Sequence, residues 1–370
     1  MSRDLVALMH RLGPEFAARA GRSDNEDLFV ADNYVALKKH GVLRAGLPVE
    51  LGGGGAEHRE LAEMLRVLAH HCGSTALALS MHMHQAATAV WRWRREPAPL
   101  ETLLGSIASN DLILVSSGGS DWIAGSGRAV RVEGGWRITA RKIFASGVPV
   151  GDILVTSAVW QDPESGPTVL HFPLPLKSDG VKVLDTWRVL GMRGTGSHDI
   201  AIDGAFVPDT AIILRRPQGT WHLLFHVISL LAIPLIYSVY LGIAEAARDI
   251  AVERARSRRA GQDIPYLVGE MENELATARF AYRDMLDAAA TAQPSEHATN
   301  RVMTGRAILA SSAIRAVDKA MDVAGGAAFY RDLGLERRFR DVQAARFHPL
   351  QQKAQLRYAG RMALGLDVNE

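Results

Sequence analysis

The order of hydrophobic and polar positions predicts helices over the first 110 residues. One set of apolar residues recurs every three or four positions, as on a single helix face: Leu61, Met64, Leu65 and Leu68. The stretch LPVELGGGG at 47–55 interrupts this pattern, because a run of glycines does not sustain a helix. We therefore expect one helix to end before this stretch and another to begin near Glu57.

From Leu112 the apolar positions alternate with polar ones, which predicts strands. The segments 129–133 and 136–139 flank Gly134-Gly135, and paired glycines accept the positive φ of a tight turn, so a hairpin is expected. Four further strands are predicted, at 153–159, 168–173, 181–184 and 199–207. Residues 111–216 are thus interpreted as a β domain.

The helical spacing returns after Pro217, with alanine-rich helices predicted at 241–258, 266–291 and 300–324. The run 223–244 is almost wholly apolar and long enough to cross a bilayer. It contains His226 and Pro234 and continues into charged residues without a break, so we interpret it as a buried helix.

The fold expected from these patterns is α+β. It comprises an N-terminal helical domain at 1–110, a middle antiparallel β domain at 111–216 and a C-terminal four-helix bundle at 217–370.

Composition and charge narrow the class of protein. Of the 370 residues, 48% are apolar, and 42 Lys and Arg nearly balance 40 Asp and Glu. The chain therefore lacks the excess of positive charge with which proteins bind the phosphate backbone of nucleic acids. Cys72 is the sole cysteine, and the first residues lack the basic and apolar regions of a signal peptide. A cytoplasmic protein that binds neither nucleic acid nor membrane is expected.

The common catalytic motifs are missing from the sequence, including phosphate-binding loops and zinc-binding helices. His82 and His84 are two residues apart, so on a helix they point to different sides, and no carboxylate cluster accompanies them. We expect no metal site.

Three segments rich in glycine and serine end predicted strands, at 115–121, 144–147 and 191–197. Each offers hydroxyl groups and backbone amides without bulky neighbours, which suits hydrogen bonding to a flat polar heterocycle or a phosphate. Three such segments in one domain favour a ligand site over three ordinary turns.

These features together resemble the acyl-CoA dehydrogenase superfamily of flavoenzymes over nearly the whole chain. The segments that carry the resemblance are LPVE at 47–50 with Gly52-Gly53, GSTAL at 73–77, GGSD at 118–121, GMRGTGS at 191–197 and FVP at 206–208. The resemblance implies FAD, with FMN as the alternative, bound between the β domain and the C-terminal helices.

The resemblance also implies which residues contact the flavin ring. Ser116 and Ser117 take the place of the segment that hydrogen-bonds the pyrimidine edge, although SSG is shorter than the usual Thr-Glu-Pro-Gly form. Phe144 and Ser146 take the place of the aromatic and hydroxyl pair beside the ring, where stacking and hydrogen bonds tune its electronics.

A second set of residues is implied for the pyrophosphate and adenine end of FAD, often contributed by a neighbouring subunit. Arg256 or Arg258 resembles the arginine of that set, and Gly325-Gly326 resembles its glycine turn. The alanine-rich helices carry more apolar surface than one bundle needs to hide, so a homo-oligomer, namely a tetramer, is expected.

The glutamate that serves dehydrogenases as the base is missing from both of its usual positions. The region after Arg340-Asp341 reads ARFHPL at 345–350, and the alternative position falls near Ala232. In the segment 345–350, His348 stands in place of the glutamate. This resembles the flavin-dependent monooxygenases of this fold, where a histidine acts as a base or stabilises the oxygenated flavin. Pro349 favours a new helix starting at that residue, with His348 directed to a cleft and titrating near pH 6.5.

Three functions are therefore compared. We slightly favour a flavin-dependent monooxygenase that uses His348, over a dehydrogenase of acyl thioesters with a substituted base. The third is a non-catalytic scaffold that binds flavin or an acyl group. The substrate is a small molecule or an acyl thioester, and the resemblance allows for a flavin reductase or an electron-transfer partner.

Overall fold

The computed structural model describes residues 4–257 and 263–369. Along the chain, helices and short 3-10 turns precede the strands and follow them. The α-helices within these residues are α1 (Leu5–Asn25), α2 (Ala31–Lys39), α3 (His58–His71), α4 (Gly73–Trp93), α5 (Ala98–Asn110), α6 (Leu223–Arg256), α7 (Ile264–Thr291), α8 (Glu296–Ala324), α9 (Leu335–Val342) and α10 (Gln352–Leu364).

The strands all lie between α5 and α6. They are β1 (Leu114–Ser116), β2 (Arg128–Val132), β3 (Gly135–Lys142), β4 (Ile153–Asp162), β5 (Gly166–Pro175), β6 (Val181–Val183), β7 (Ile200–Pro208) and β8 (Leu214–Pro217). They form one sheet in the order β6-β7-β3-β2-β4-β5-β8, with β1 added beside β4. Most pairs are antiparallel, and β4 runs parallel to β1 and β2. The predicted order of helices, mostly antiparallel sheet and helices is confirmed.

Helix α6 lies at the centre of the molecule. It packs against α3 and α4 on one side and against α7 and α8 on the other, so helices from both ends of the chain share one hydrophobic core. Among the described residues it is the helix long and apolar enough to cross a membrane, yet 89% of its most apolar window is buried inside the protein. The expectation of a buried helix is confirmed.

Two local predictions were wrong. In the β2-β3 hairpin, Val132 pairs with Gly135, so the turn consists of Glu133 and Gly134. Gly134 alone takes a positive φ, of 72°, and Gly135 begins the strand. Pro349 does not start a helix: a turn intervenes, and α10 begins at Gln352.

Candidate active site

A cavity of about 510 Å³ lies between the sheet and the helices α4, α5 and α6. All three segments rich in glycine and serine reach it. Their lining residues are Ser116, Ser117, Gly118, Gly119 and Asp121 from the first segment, Phe144 and Ser146 from the second, and Gly191, Met192, Thr195 and Ser197 from the third. The fold therefore brings together, in one cavity, residues that are up to 81 positions apart in sequence, Ser116 and Ser197.

Ser116 is buried at the end of β1, and the adjoining Ser117 shares a hydrogen bond of 3.1 Å with Thr156 Oγ1 on β4. Both serines line the cavity, as does Phe144, whose ring lies edge-on to Trp187 with 5.9 Å between ring centroids. The structure thus places Ser116, Ser117 and Phe144 on the walls of the same space.

Ser146 belongs to a chain of hydroxyl groups that runs in one direction. Thr195 Oγ1 donates to Met192 O at 2.9 Å, so it accepts from Ser197 Oγ at 2.7 Å. Ser197 has then used its one hydrogen, so Ser146 Oγ donates to Ser197 at 2.7 Å. Ser146 consequently offers only lone pairs to a ligand in the cavity.

Two cavity residues other than glycine hold a left-handed backbone. Phe144 has a φ of 57° and Met192 a φ of 56°. This conformation costs roughly 1–2 kcal/mol for a residue with a side chain, and such conformations cluster at ligand sites. Both residues lie in the segments that sequence reasoning assigned to a ligand.

The segment at 191–197 is held against α9 by the Arg-Asp pair. Asp341 is buried and accepts a hydrogen bond of 2.5 Å from Met192 N, while a Cβ at Gly191 would lie 2.4 Å from the carbonyl carbon of Arg340. Burial raises the pKa of Asp341 to about 6, with the nearby carboxylate of Asp24 adding to the effect. Arg340 forms ion pairs with Asp24 and Glu336. The pair therefore positions a wall of the cavity.

His348 lines the cavity and bonds to α6. Its Nε2 lies 2.5 Å from Tyr240 Oη, which has no other hydrogen-bond partner among the described residues. We infer that the buried hydroxyl of Tyr240 donates, which leaves the histidine proton on Nδ1. The carbonyl of His348 accepts from Arg306 Nη2 at 2.7 Å, so both ring and backbone are held.

The expected titration of His348 near pH 6.5 was wrong. Burial lowers its pKa to about 3, and the positive charge of Arg306 and the nearby His84 act in the same direction. The imidazole is therefore neutral at pH 7. With Nδ1 protonated and Nε2 occupied, it can donate a hydrogen bond but has no lone pair left for a base.

No free carboxylate faces the cavity within the described residues. Asp121 is the lining residue of that type, and its Oδ2 lies 2.9 Å from Nζ of the fully buried Lys142. Ala232, at the alternative position of the dehydrogenase base, lines the cavity, and Glu245, further along α6, pairs with Arg66 and Arg279. Residues 4–257 and 263–369 therefore supply no carboxylate in place of the missing glutamate.

The residues implied for the far end of FAD lie elsewhere. Arg256 is exposed at the end of α6, and Gly325 and Gly326 are exposed after α8, all outside the cavity lining. Arg258 lies outside the described residues. The assignment of Arg256, Arg258, Gly325 and Gly326 to the cofactor stays a prediction.

Sequence reasoning did not place His84 or His171 in the cavity. His84 is buried in α4, and its Nδ1 has no hydrogen-bond partner in the part of the chain that the structure describes; burial lowers its pKa to about 4. His171 comes from β5. His82, two residues before His84, bonds instead to Leu43 O in a 3-10 turn and accepts from Leu114 N on β1, so only the fold separates the two roles.

Comparisons with known proteins agree with this arrangement. Residues 235–353 match the family described as acyl-CoA dehydrogenase, C-terminal domain, and residues 10–97 match its N-terminal domain. The amino sugar nitrososynthase RubN8 of Streptomyces rubradiris is 32% identical over 98% of this chain and 90% of its own. A pigment production hydroxylase of a Rhodococcus species is 27% identical over 99% of this chain and 98% of its own.

Among solved structures, KijD3 in complex with FMN and a dTDP-linked amino sugar superposes with a TM-score of 0.90. It is 26% identical, and the match covers 98% of this chain and 93% of that one. Both parts of the family model match this chain, and RubN8 is more than 30% identical to it over nearly its whole length. The chain belongs to the acyl-CoA dehydrogenase superfamily of flavin-dependent oxidoreductases.

Proposed function

We propose that the chain is a flavin-dependent monooxygenase in which His348 donates a hydrogen bond at the reacting centre. One observation carries the proposal: the cavity is lined by His348, whose Nε2 lies against Tyr240 Oη, and it holds no unpaired carboxylate within the described residues. A dehydrogenase needs a base to take the proton next to the thioester. A monooxygenase needs donors near the developing oxygen charge.

The cavity residues fit a flavin. Ser116 and Ser117 offer hydroxyls at one wall, Phe144 offers an aromatic ring, and Ser146 offers an acceptor whose direction is fixed by Ser197. An acceptor at this place suits the N–H that a flavin ring carries only when reduced. The bound, reduced flavin would react with dioxygen and supply the oxygen atom that is transferred to the substrate.

Within this site the chain's own residues have separate tasks. Tyr240 fixes the tautomer of His348, and Arg306 fixes its backbone. Apolar residues of α6, among them Ile233 and Ile236, line the same cavity and keep its water content low. Asp341 holds the segment that carries Met192 and the hydroxyl chain.

An amine nitrogen is the first substrate atom to test. RubN8 is a nitrososynthase of amino sugars, and the chain matches it over nearly its whole length. We therefore propose N-oxygenation of an amino sugar as the specific reaction of this chain.

Substitution of His348 tests the proposal. His348→Ala should lower the rate of oxygenation by about a hundredfold, while His348→Asn, which keeps an N–H near the position of Nδ1, should regain part of it. Formation of the hydroxylated amine is measured by mass spectrometry with chemically reduced flavin and oxygen. Because the pKa of His348 lies far below 7, the pH profile of the wild-type rate should show no step near pH 6.5 that is due to this residue. The profiles of the wild type and of His348→Asn should therefore have the same shape in that range.

The dehydrogenase alternative makes a different prediction. Anaerobic bleaching of the bound flavin by an acyl-CoA, with no oxygenated amine under any condition, would overturn the monooxygenase proposal. Flavin binding without turnover in either assay would support the scaffold alternative.

We further propose that the protein assembles as a homotetramer whose neighbouring subunit supplies Gly325-Gly326 to the adenine end of FAD. The exposed position of these glycines, followed by Phe329, which is 89% exposed, supports a contact between subunits there. A cytoplasmic location and a flavin reductase as electron donor complete the proposal.

A further inference from the structure

A second polar centre lies in the cavity wall formed by β5 and β8. His171 on β5 lines the cavity, and Arg216 on the neighbouring strand β8 is its diagonal neighbour on the same face of the sheet. Arg216 is almost fully buried, and its Nε donates to His171 Nε2 at 3.0 Å. A guanidinium nitrogen can only donate, so the proton of His171 is on Nδ1.

The charge of Arg216 has no carboxylate partner among the described residues. Its remaining donors reach backbone carbonyls, at 2.8 Å to Trp122 O, 2.7 Å to Ile123 O and 3.2 Å to Pro217 O. Burial lowers its pKa to about 10, which leaves it charged at pH 7. A cation on the acceptor side of an imidazole makes the opposite N–H a stronger donor.

The other nitrogen of His171 is available to a ligand. Its Nδ1 has no hydrogen-bond partner in the described part of the chain, although the residue lines the cavity. Burial and Arg216 together lower the pKa of His171 to about 3, so the ring stays neutral and keeps its donor. The group is thus fixed in one tautomer by its neighbour.

A third donor stands at the same wall. Arg92 on α4 lines the cavity and donates to Ile213 O at 2.7 Å, and Ile213 N in turn donates to His171 O at 2.9 Å. Its carboxylate partner, Glu96, is 3.7 Å away and largely exposed, so that ion pair is weak. By contrast, Arg340, which also lines the cavity, is engaged by two carboxylates.

We propose that His171, Arg216 and Arg92 form a binding site for a phosphate group of the substrate. A buried cation without a counter-ion, a fixed N–H donor and a weakly paired arginine at one wall suit an anionic oxygen. The nearby pair of Asp121 and Lys142 is neutral in sum, so this wall keeps a net positive charge. The proposal rests on the proposed function in taking the ligand to be the substrate, namely a phosphorylated or nucleotide-linked amino compound.

Binding of dTDP and of the uncharged nucleoside thymidine to the full-length, FMN-loaded protein tests this site by isothermal titration calorimetry. The wild type should bind dTDP more tightly than thymidine. His171→Phe, which keeps the ring and removes the N–H, should reduce that preference about tenfold, the size of one hydrogen bond to a charged group. His171→Asn should restore part of the preference for dTDP. Arg92→Gln should reduce that preference while leaving the hydrogen bond between Arg216 and His171 in place.

The phosphate of FMN is the other source of the same chemistry, so FMN and riboflavin affinities are measured on the same variants. Unchanged ratios of FMN to riboflavin affinity support the substrate site, whereas a loss confined to FMN would assign it to the cofactor and overturn the proposal. An equal preference for dTDP in wild type and His171→Phe would overturn it too, as would a wild type that does not prefer dTDP. Charge-dependent dTDP binding without oxygenation would leave this site standing and remove the proposed function instead.

Discussion

At the scale of single residues, the site is governed by where protons reside on neutral groups. Tyr240 sets the tautomer of His348, Arg216 sets that of His171, and Ser197 sets the direction of Ser146. In each case the partner leaves one defined donor or acceptor for the cavity. These couplings join residues 45 to 108 positions apart, so the sequence showed the residue types but not their partners.

The hydroxyl chain leads to a prediction about flavin binding. Ser197→Ala removes the group to which Ser146 donates, so Ser146 can then donate into the cavity. The preference for reduced over oxidised flavin should fall about fivefold, the effect of about one hydrogen bond. Affinities are compared by fluorescence titration under anaerobic and aerobic conditions. Ser197→Thr, which keeps a hydroxyl, is the control, and an equal loss for both redox forms would contradict the assigned direction.

Asp341 leads to a prediction about stability and pH. Its folded-state pKa, raised to about 6, means that between pH 4 and pH 6 the folded protein holds a proton that the unfolded chain has released. This group therefore lowers the unfolding free energy as the pH rises through that window. Asp341→Asn should gain roughly 3 kcal/mol relative to wild type between pH 4 and pH 7. Urea unfolding across this range measures the gain, and a difference independent of pH would refute it.

At the scale of elements, the sequence predicted strands and helices well where one face is buried. Met64 and Leu65 on α3 and the alternating residues of β7 follow their periods because the core covers one side. Strand β8 was missed because Leu214–Pro217 is short and carries two arginines, one of which is buried by contacts from distant residues. The prediction that a helix starts at Pro349 was wrong because the preference of proline for the first position of a helix does not by itself determine where α10 begins.

Helix α6 gives a prediction at this scale because its glycine is a contact point. A Cβ at Gly242 would lie 2.1 Å from Arg66 O on α3, whereas a Cβ at Gly269 on α7 would meet nothing within 4 Å. Gly242→Ala should destabilise the protein by more than about 2 kcal/mol, since backbone would have to move. Gly269→Ala should stabilise it by about 0.5–1 kcal/mol through helix propensity. Chemical unfolding measures the free energy of unfolding of both variants. Similar changes in this free energy for the two variants would be inconsistent with close packing of α3 on α6.

At the scale of the whole molecule, the periodicity of the sequence predicted the order of helices, sheet and helices. It did not predict that α1, α3, α6 and α8 share one core. That core depends on contacts between the two ends of the chain, which no local pattern reports. The cavity has the same origin, because its walls come from the sheet and from helices before and after it.

The proposed assembly is tested at this scale. Phe329 and Tyr330 are 89% and 72% exposed beside Gly325-Gly326, and a Cβ at Gly326 would meet nothing within 4 Å. Phe329→Glu should reduce the size of the oligomer and weaken FAD about tenfold, with little effect on FMN, which lacks the adenine end. Light scattering and flavin titration measure the two effects. An unchanged oligomer, or an equal loss of FAD and FMN, would contradict the proposal.

The central position of α6 also has a consequence for synthesis of the protein. The helix is made before α7 and α8, which cover one of its sides, so its apolar residues leave the ribosome without those partners. At ~5–20 residues per second, several seconds pass before α8 is complete. During that interval the nascent chain presents a segment as apolar as a membrane span. The same helix that joins both ends of the folded molecule is therefore an apolar segment that is only partly covered while the chain is still being made.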